Sequence, residues 1–165
     1  MARSNGVNVH LGEEFRRVSI ALREVDRSLP GKLRKGLERS VRPAVADAKR
    51  RVRSIPTHGA AHTGLRRRVA RGVAIQARTS RSPILRVTTS MADPQERNLP
   101  LYLDDPSGWR HPVFAMPGRD RVWVHQDTGG SWFRETFAEH RPEIQRSLRE
   151  VLDGAAETIA AAGRG

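Results

Sequence analysis

Apolar side chains recur along this chain with two periods, one helical and one extended. Leu11, Phe15, Val18, Leu22 and Val25 follow one another at three- and four-residue steps, which places them on one face of a helix. Glu13 and Glu14 fall in its first turn, where negative charge suits the positive end of the helix dipole. Ser28-Leu29-Pro30-Gly31 interrupts the period and predicts a turn or a sharp kink. The period resumes at Leu33, Leu37, Val41, Val45, Ala48, Val52 and Ile55, predicting a second helix from about Lys32 to Ile55. Pro43 lies inside it and predicts a kink, or the first turn of a separate helix. Residues 1–10 hold neither period and read as a loosely docked arm.

Pro56-Thr57-His58-Gly59 ends the second helix, and Gly64 opens a short helical turn at Leu65–Val69. The period then changes. Val73, Ile75 and Ala77 alternate with Ala74, Gln76 and Arg78, and Ile84, Leu85 and Val87 are interleaved with Arg86 and Thr88. These are two strands, and the short Ser80-Arg81-Ser82 link between them predicts a hairpin. Residues 91–108 are polar and rich in Pro and Asp; Leu99, Leu101, Tyr102 and Leu103 predict an irregular segment or a short strand there. Trp109–Met116 and Arg121–Gln126 read as two more strands, joined by the turn Met116-Pro117-Gly118-Arg119-Asp120. Val122 and Val124 then face one side of the sheet, Trp123 and His125 the other. After Gly129-Gly130 a final helix follows, broken at Pro142, with Phe133, Phe137, Ile144, Leu148, Val151, Leu152 and Ile159 as its apolar stripe.

The expected fold is α+β: long N-terminal amphipathic helices, a small, mainly antiparallel sheet of about four strands, and a C-terminal helix. One domain over residues 11–160 lies between the arm and a frayed tail at 161–165. A length of 165 residues suits one domain. Only 37% of residues are hydrophobic, so the core is expected to be modest. No run approaches the roughly 18 apolar residues of a membrane span, and no membrane partner is expected. The opening MARSNGVNVHLGEEF lacks the apolar stretch of a signal peptide. Cysteine is absent, which excludes disulfides, thiolate metal sites and cysteine nucleophiles.

Charge changes the picture more. The net charge is +12, and it is unevenly spread. Residues 1–91 hold 21 basic and 6 acidic side chains; residues 92–165 hold 9 and 12. Such asymmetry points to a polyanion, or an acidic protein, beside the first half. Of the 30 basic residues 27 are Arg, an excess that GC-rich codon usage also produces. The predicted second helix carries Arg34, Lys35, Arg39, Arg42, Lys49, Arg50, Arg51 and Arg53 opposite its apolar face. That face is either solvated or meets DNA or an acidic ring.

Catalytic chemistry finds little support. His58 and His62 stand four apart, but Pro56 and Gly59 argue against a helix and no Glu lies between them. No GxxxxGK[ST] loop and no GxSxG elbow can be read. Asp104 and Asp105 are adjacent and would point opposite ways on an extended chain, so they read as loop residues. Trp109, Phe114, Trp123, Trp132, Phe133 and Phe137 cluster late in the chain, as core and interface aromatics rather than base-stacking platforms. Neither an enzyme, a metal nor a cofactor is expected.

Three segments in order carry a resemblance. They are AKRRVRSIPTHGAAHTGLRRRV at residues 48–69, GWRHPVFAMPGRDRVWVHQ at 108–126, and the aromatic-led WFRETFAEHRPEIQRSLREVLDGAAETIA. Together they resemble the tail-component family that supplies tail-completion or neck proteins in long-tailed siphophages, over roughly residues 11–160. The family's middle motif is P-x-x-T-G-x-L-R; here Thr63-Gly64-Leu65-Arg66 keeps its end, with Gly59-Ala60-Ala61 inserted after the Pro. The neighbouring tail-terminator family has a related α+β plan. The resemblance implies a non-enzymatic virion protein, assembled in the bacterial cytoplasm into a homo-oligomeric, hexameric ring at the head–tail junction. It implies contacts with head-closure and tail-terminator or tail-tube proteins, and double-stranded DNA in the lumen. Arg50, Arg51, Arg53, Arg66, Arg67, Arg68 and Arg71 are the candidates for interface or lumen contacts, with the Arg66–Arg68 run expected to be exposed. Trp109, Phe114, Trp123, Trp132 and Phe133 are the candidates for subunit contacts or core. The Arg-rich helix alone would also suit a basic nucleic-acid-binding protein.

Overall fold

The longest element is set by the cleanest period in the sequence. In the computed structural model a single helix, α1 (Leu29–Ser54), runs for 26 residues. The structure describes residues 6–10, 17–18, 20–21, 23–24, 29–56, 64–78, 84–113 and 122–164. Pro30 does not precede α1 in a turn but lies in its first turn, where a missing N–H costs nothing. Pro43 does not divide it, and the helix runs through unbroken. Pro43 is on the exposed side, where water can take the carbonyl that Pro leaves without a donor. Leu33, Leu37, Val41, Ala44, Val45, Ala48, Val52 and Ile55 are all buried. Of the preceding predicted helix, residues 17, 18, 20, 21, 23 and 24 are described and helical, and Val18 packs on the core.

The remaining elements are laid against α1. They run in the order β1 (Gly6–His10), α1, α2 (Leu65–Gly72), β2 (Val73–Arg78), β3 (Ile84–Thr89), a 3-10 turn at Pro94–Glu96, α3 (Leu99–Leu103), β4 (Trp109–Val113), β5 (Val122–Gln126), α4 (Arg134–Glu139) and α5 (Arg141–Ala162). Elements α2, β2, β3, α4 and α5 all contact α1. Leu85, Val87 and Thr89 alternate inward on β3, opposite Ala77, Ile75 and Val73 of β2. The predicted hairpin is therefore present in the predicted register of faces. Helix α2 passes into β2 without a loop, because Gly72 lies against Ser90: a Cβ there would stand 1.9 Å from the Ser90 carbonyl oxygen. The Ser90 amide donates to the Gly72 carbonyl at 3.1 Å.

Further expectations are corrected. Gly6–His10 is no loose arm; it is an antiparallel edge strand beside β3, with Gly6 opposite Thr88 and His10 opposite Ile84. The five described strands do not form one sheet. They divide into a three-stranded sheet, in the order β1-β3-β2, and a separate two-stranded sheet, β4-β5. Leu99–Leu103 is a helical turn rather than a strand, with Pro100 preset for its first turn. The tail is helical to Ala162. The break in the C-terminal helix falls at His140, two residues ahead of Pro142, since Pro142 lies in the first turn of α5.

One buried carboxylate ties α3 to α4. Asp104 is completely buried, at 0% exposure. Its Oδ1 accepts from the Phe133 amide at 2.6 Å, the Ser131 hydroxyl at 2.7 Å and the Arg134 amide at 3.3 Å. Its Oδ2 accepts from Arg134 Nε at 3.1 Å, and Arg134 Nη2 donates to the Asp104 carbonyl at 2.9 Å. The first residue before α4 is Phe133, which has no side chain able to cap it, so Asp104 supplies the cap from 29 residues away. Phe133 and Trp132 are thereby held in the core, edge to face at 5.3 Å.

Asp104→Ala should destabilise the fold by at least about 1.5–3 kcal/mol, the usual contribution of one hydrogen bond to a charged group. Urea unfolding measures it, and Asp104→Asn should recover only part of the loss because its amide nitrogen cannot accept.

Candidate functional site

Helix α1 has two unlike sides. The inner side is the apolar stripe described above. The outer side exposes Lys32, Lys35, Arg39, Arg42, Arg50 and Arg53, with Lys49 half-buried at its margin. Among the described residues, the ion pairs of α1 lie elsewhere or at the edge of this side. Arg34 faces Glu38 at 3.8 Å, and Arg50 reaches Asp47 at 2.6 Å.

Asp47 is the charged exception on the inner side. It is buried, and three cationic or potentially cationic partners converge near it at the junction of α1, α4 and α5. His140 Nε2 is 3.2 Å from Oδ2, Arg51 Nε is 3.5 Å from Oδ1, and Arg50 is close as given above. Arg51 also forms a two-point pair with Glu139, Nη1 lying 3.1 Å from Oε1 and Nη2 bonding Oε2. His140 Nδ1 lies 3.4 Å from Glu143. Burial alone would raise the Asp47 carboxyl, but the His140 hydrogen bond and the charges of Arg51 and Arg50 outweigh it and hold it below the usual range. The Arg51 hydrogen bond holds Glu139 low as well.

This network takes Arg51 out of the set of free surface cations. Arg66 and Arg68 leave it too. Arg66 Nη1 donates to the Ile55 carbonyl, tying the start of α2 to the end of α1. Arg68 pairs with Glu96 through Nε at 3.0 Å and through Nη2. The expected exposed run Arg66–Arg68 is thus half internal; Arg67 alone of the three is exposed, together with Arg71 one turn on. A helix of eight residues packed against α1 must turn one side inward, and Val69 and Ala70 are buried there. The arginines flanking that side find backbone and carboxylate partners.

The aromatic candidates separate just as clearly. Trp132 and Phe133 are core, as is Phe137, 4.8 Å from Phe133. Trp109 is half-buried against the core and stacks with Tyr102 at 6.5 Å. Phe114 lies outside the described residues. Trp123 is 53% exposed and its neighbour Val124 40% exposed, and His125 is exposed as well. Both faces of β5 are therefore open over these three residues. The reason is topological: β5 pairs only with β4, in register from Trp109 opposite Gln126 to Val113 opposite Val122, and no described layer covers either face at Trp123 and Val124. The base of this hairpin is closed by Gly108, whose φ of 71° favours glycine and whose Cβ would meet the Gln126 carbonyl oxygen at 2.2 Å. Asp105, beside it, turns the chain by accepting from the Ser107 hydroxyl at 2.6 Å and amide at 3.0 Å, which hold its carboxyl low.

Among the described residues no group of three His, Asp or Glu side chains is placed to hold a metal ion, and no helix is long and apolar enough to cross a membrane. Sequence reasoning set Asp104 aside as a loop residue and did not single out Asp47. The signal for Asp47 was present: an acidic residue on the apolar side of a helix, three and four positions before two arginines. Compared with protein-family models, curated proteins and solved structures, the chain matches none.

The Asp47 network predicts an acid-side effect. The native carboxyl ionises at lower pH than the unfolded one. Its contribution is therefore complete above about pH 4, the ordinary Asp range, and is lost as the pH falls through the lower native value. In thermal melts, Asp47→Asn should lower Tm at neutral pH, and the gap to the wild type should close below that range.

Proposed function

We propose that this chain is a structural protein of a tailed-bacteriophage virion, assembled as a ring of six subunits at the head–tail junction. In this reading it completes the neck or connector, joins the head connector to the tail, and surrounds the DNA passage. The observation that carries the proposal is the β4–β5 hairpin. An isolated two-stranded sheet is marginal in water and needs packing on a further layer. This one leaves Trp123, Val124 and His125 uncovered, and large exposed aromatics are typical anchors of subunit interfaces. A neighbouring copy supplies the missing layer, and contacts of this head-to-tail kind close into rings. The order of the three sequence segments quoted above supports the same reading. The cationic outer side of α1 favours a second one, a basic nucleic-acid-binding protein that acts without neck partners.

Electron microscopy of the purified chain, alone and mixed with head-closure and tail-tube proteins, tests the proposal. A ring on the neck axis is expected; a single copy per particle, or absence from the neck, would overturn it. Trp123→Ala should abolish ring formation and yet leave the unfolding free energy within about 0.5 kcal/mol, as for other exposed positions. Analytical ultracentrifugation and urea melts measure the two effects separately.

A further inference from the structure

We infer that the outer side of α1 is a binding surface for double-stranded DNA, held through the phosphate backbone and indifferent to base sequence. Lys32, Lys35, Arg39, Arg42, Lys49 and Arg53 follow one another at steps of three, four or seven residues, so they form one strip opposite the buried stripe. At 1.5 Å per residue the strip is about 32 Å long, close to one turn of the double helix. One acidic side chain, Glu38, borders it between Lys35 and Arg42. The two acids of α1 are Glu38, which faces Arg34, and Asp47, which is buried within its own network. Among the described residues none of the six cations forms an ion pair. Arg50 extends the strip, its side chain 77% exposed despite its contact with Asp47.

The packing of α1 decides how DNA meets it. Its inner half is covered by α2, β2, α4 and α5, so only the outer strip is open to a duplex. The helix also contains no Asn or Gln, the residues that read adenine edges, and Arg and Lys contacts to phosphate position a protein without specifying sequence. An anionic membrane is a poorer match. Surface-lying helices pair cations with bulky apolar residues, whereas the other exposed residues along this side are Gly31, Pro43 and Ala46. A second copy is a poorer match too, because Glu150, Asp153 and Glu157 of α5 are interspersed with Arg146 and Arg149.

The inference does not rest on ring assembly: a chain that binds DNA but forms no ring overturns the previous proposal and leaves this one standing. Fluorescence anisotropy of the full chain with two unrelated duplexes, each of roughly three helical turns, tests it. Both duplexes should bind equally. With six phosphate contacts the slope of log K against log salt should be about −5, a loss of about a thousandfold between about 50 and 200 mM salt. Lys35→Gln/Arg39→Gln/Arg42→Gln should weaken low-salt binding more than about tenfold and reduce the slope by about 3. Arg39→Lys/Arg42→Lys should bind like the wild type, which separates lost charge from lost fold, and Arg146→Gln/Arg149→Gln, exposed on α5 and off the strip, should also bind like it. The inference is overturned by absence of binding at low salt, by a triple variant that binds as well as the wild type, by a marked preference for one duplex, or by binding to phosphatidylserine vesicles without binding to DNA.

Discussion

The fold depends on burying one face of one helix. Seven apolar residues of α1, from Leu33 to Val52, and Ile55 just beyond its end are covered by four further elements and part of a fifth. Burial of apolar area is the main favourable term in folding, and here it is organised along a single axis rather than around a sheet. The small three-stranded sheet, α2 and α5 are each too short of apolar surface to form a core with one another. Each finishes its inner side against α1. Gly36 shows how close this approach is, since a Cβ there would stand 2.9 Å from a Val151 methyl of α5.

That constraint explains where the polar groups go. With the inner side of α1 committed to the core, ionic groups at its borders must be satisfied within the protein. Asp47, Arg51, Glu139 and His140 do this at the junction with α4 and α5. Arg66 and Arg68 do it at the junction with α2 and the turn at Pro94–Glu96. Asp104 does it at the start of α4. Among the described residues, the cations of α1 left without such partners are those on its far side, and their separation from the carboxylates follows from helical geometry.

The β4–β5 hairpin stands outside this scheme. Trp109, at its base, reaches the core, while Trp123 and Val124 do not. Its two strands pair with each other alone, so the expectation of one four-stranded sheet divides into two sheets with different roles. One is a wall of the core, and the other presents aromatic and β-branched side chains to solvent.

The apolar stripe of α1, the alternation of β2 with β3 and the broken C-terminal helix were all legible in the sequence, because each follows from a local period that burial enforces. The basic side of α1 was legible for the same reason, as the complement of that stripe. Which arginines remain free on it was not. Arg51 and Arg53 look alike in the sequence, yet one pairs with Glu139, 88 residues away, and the other is exposed. The edge strand Gly6–His10 was equally hidden, since its pairing with β3 is a contact across more than seventy residues that no local pattern encodes. So was Asp104, whose role as a helix cap exists only when residues 104 and 133 meet. The sequence by itself determined the long helices, the alternation of β2 with β3 and which side of α1 is cationic. The tertiary structure alone decided which charges are neutralised, which aromatics are buried and which hairpin is left uncovered, because these depend on partners brought together from distant parts of the chain.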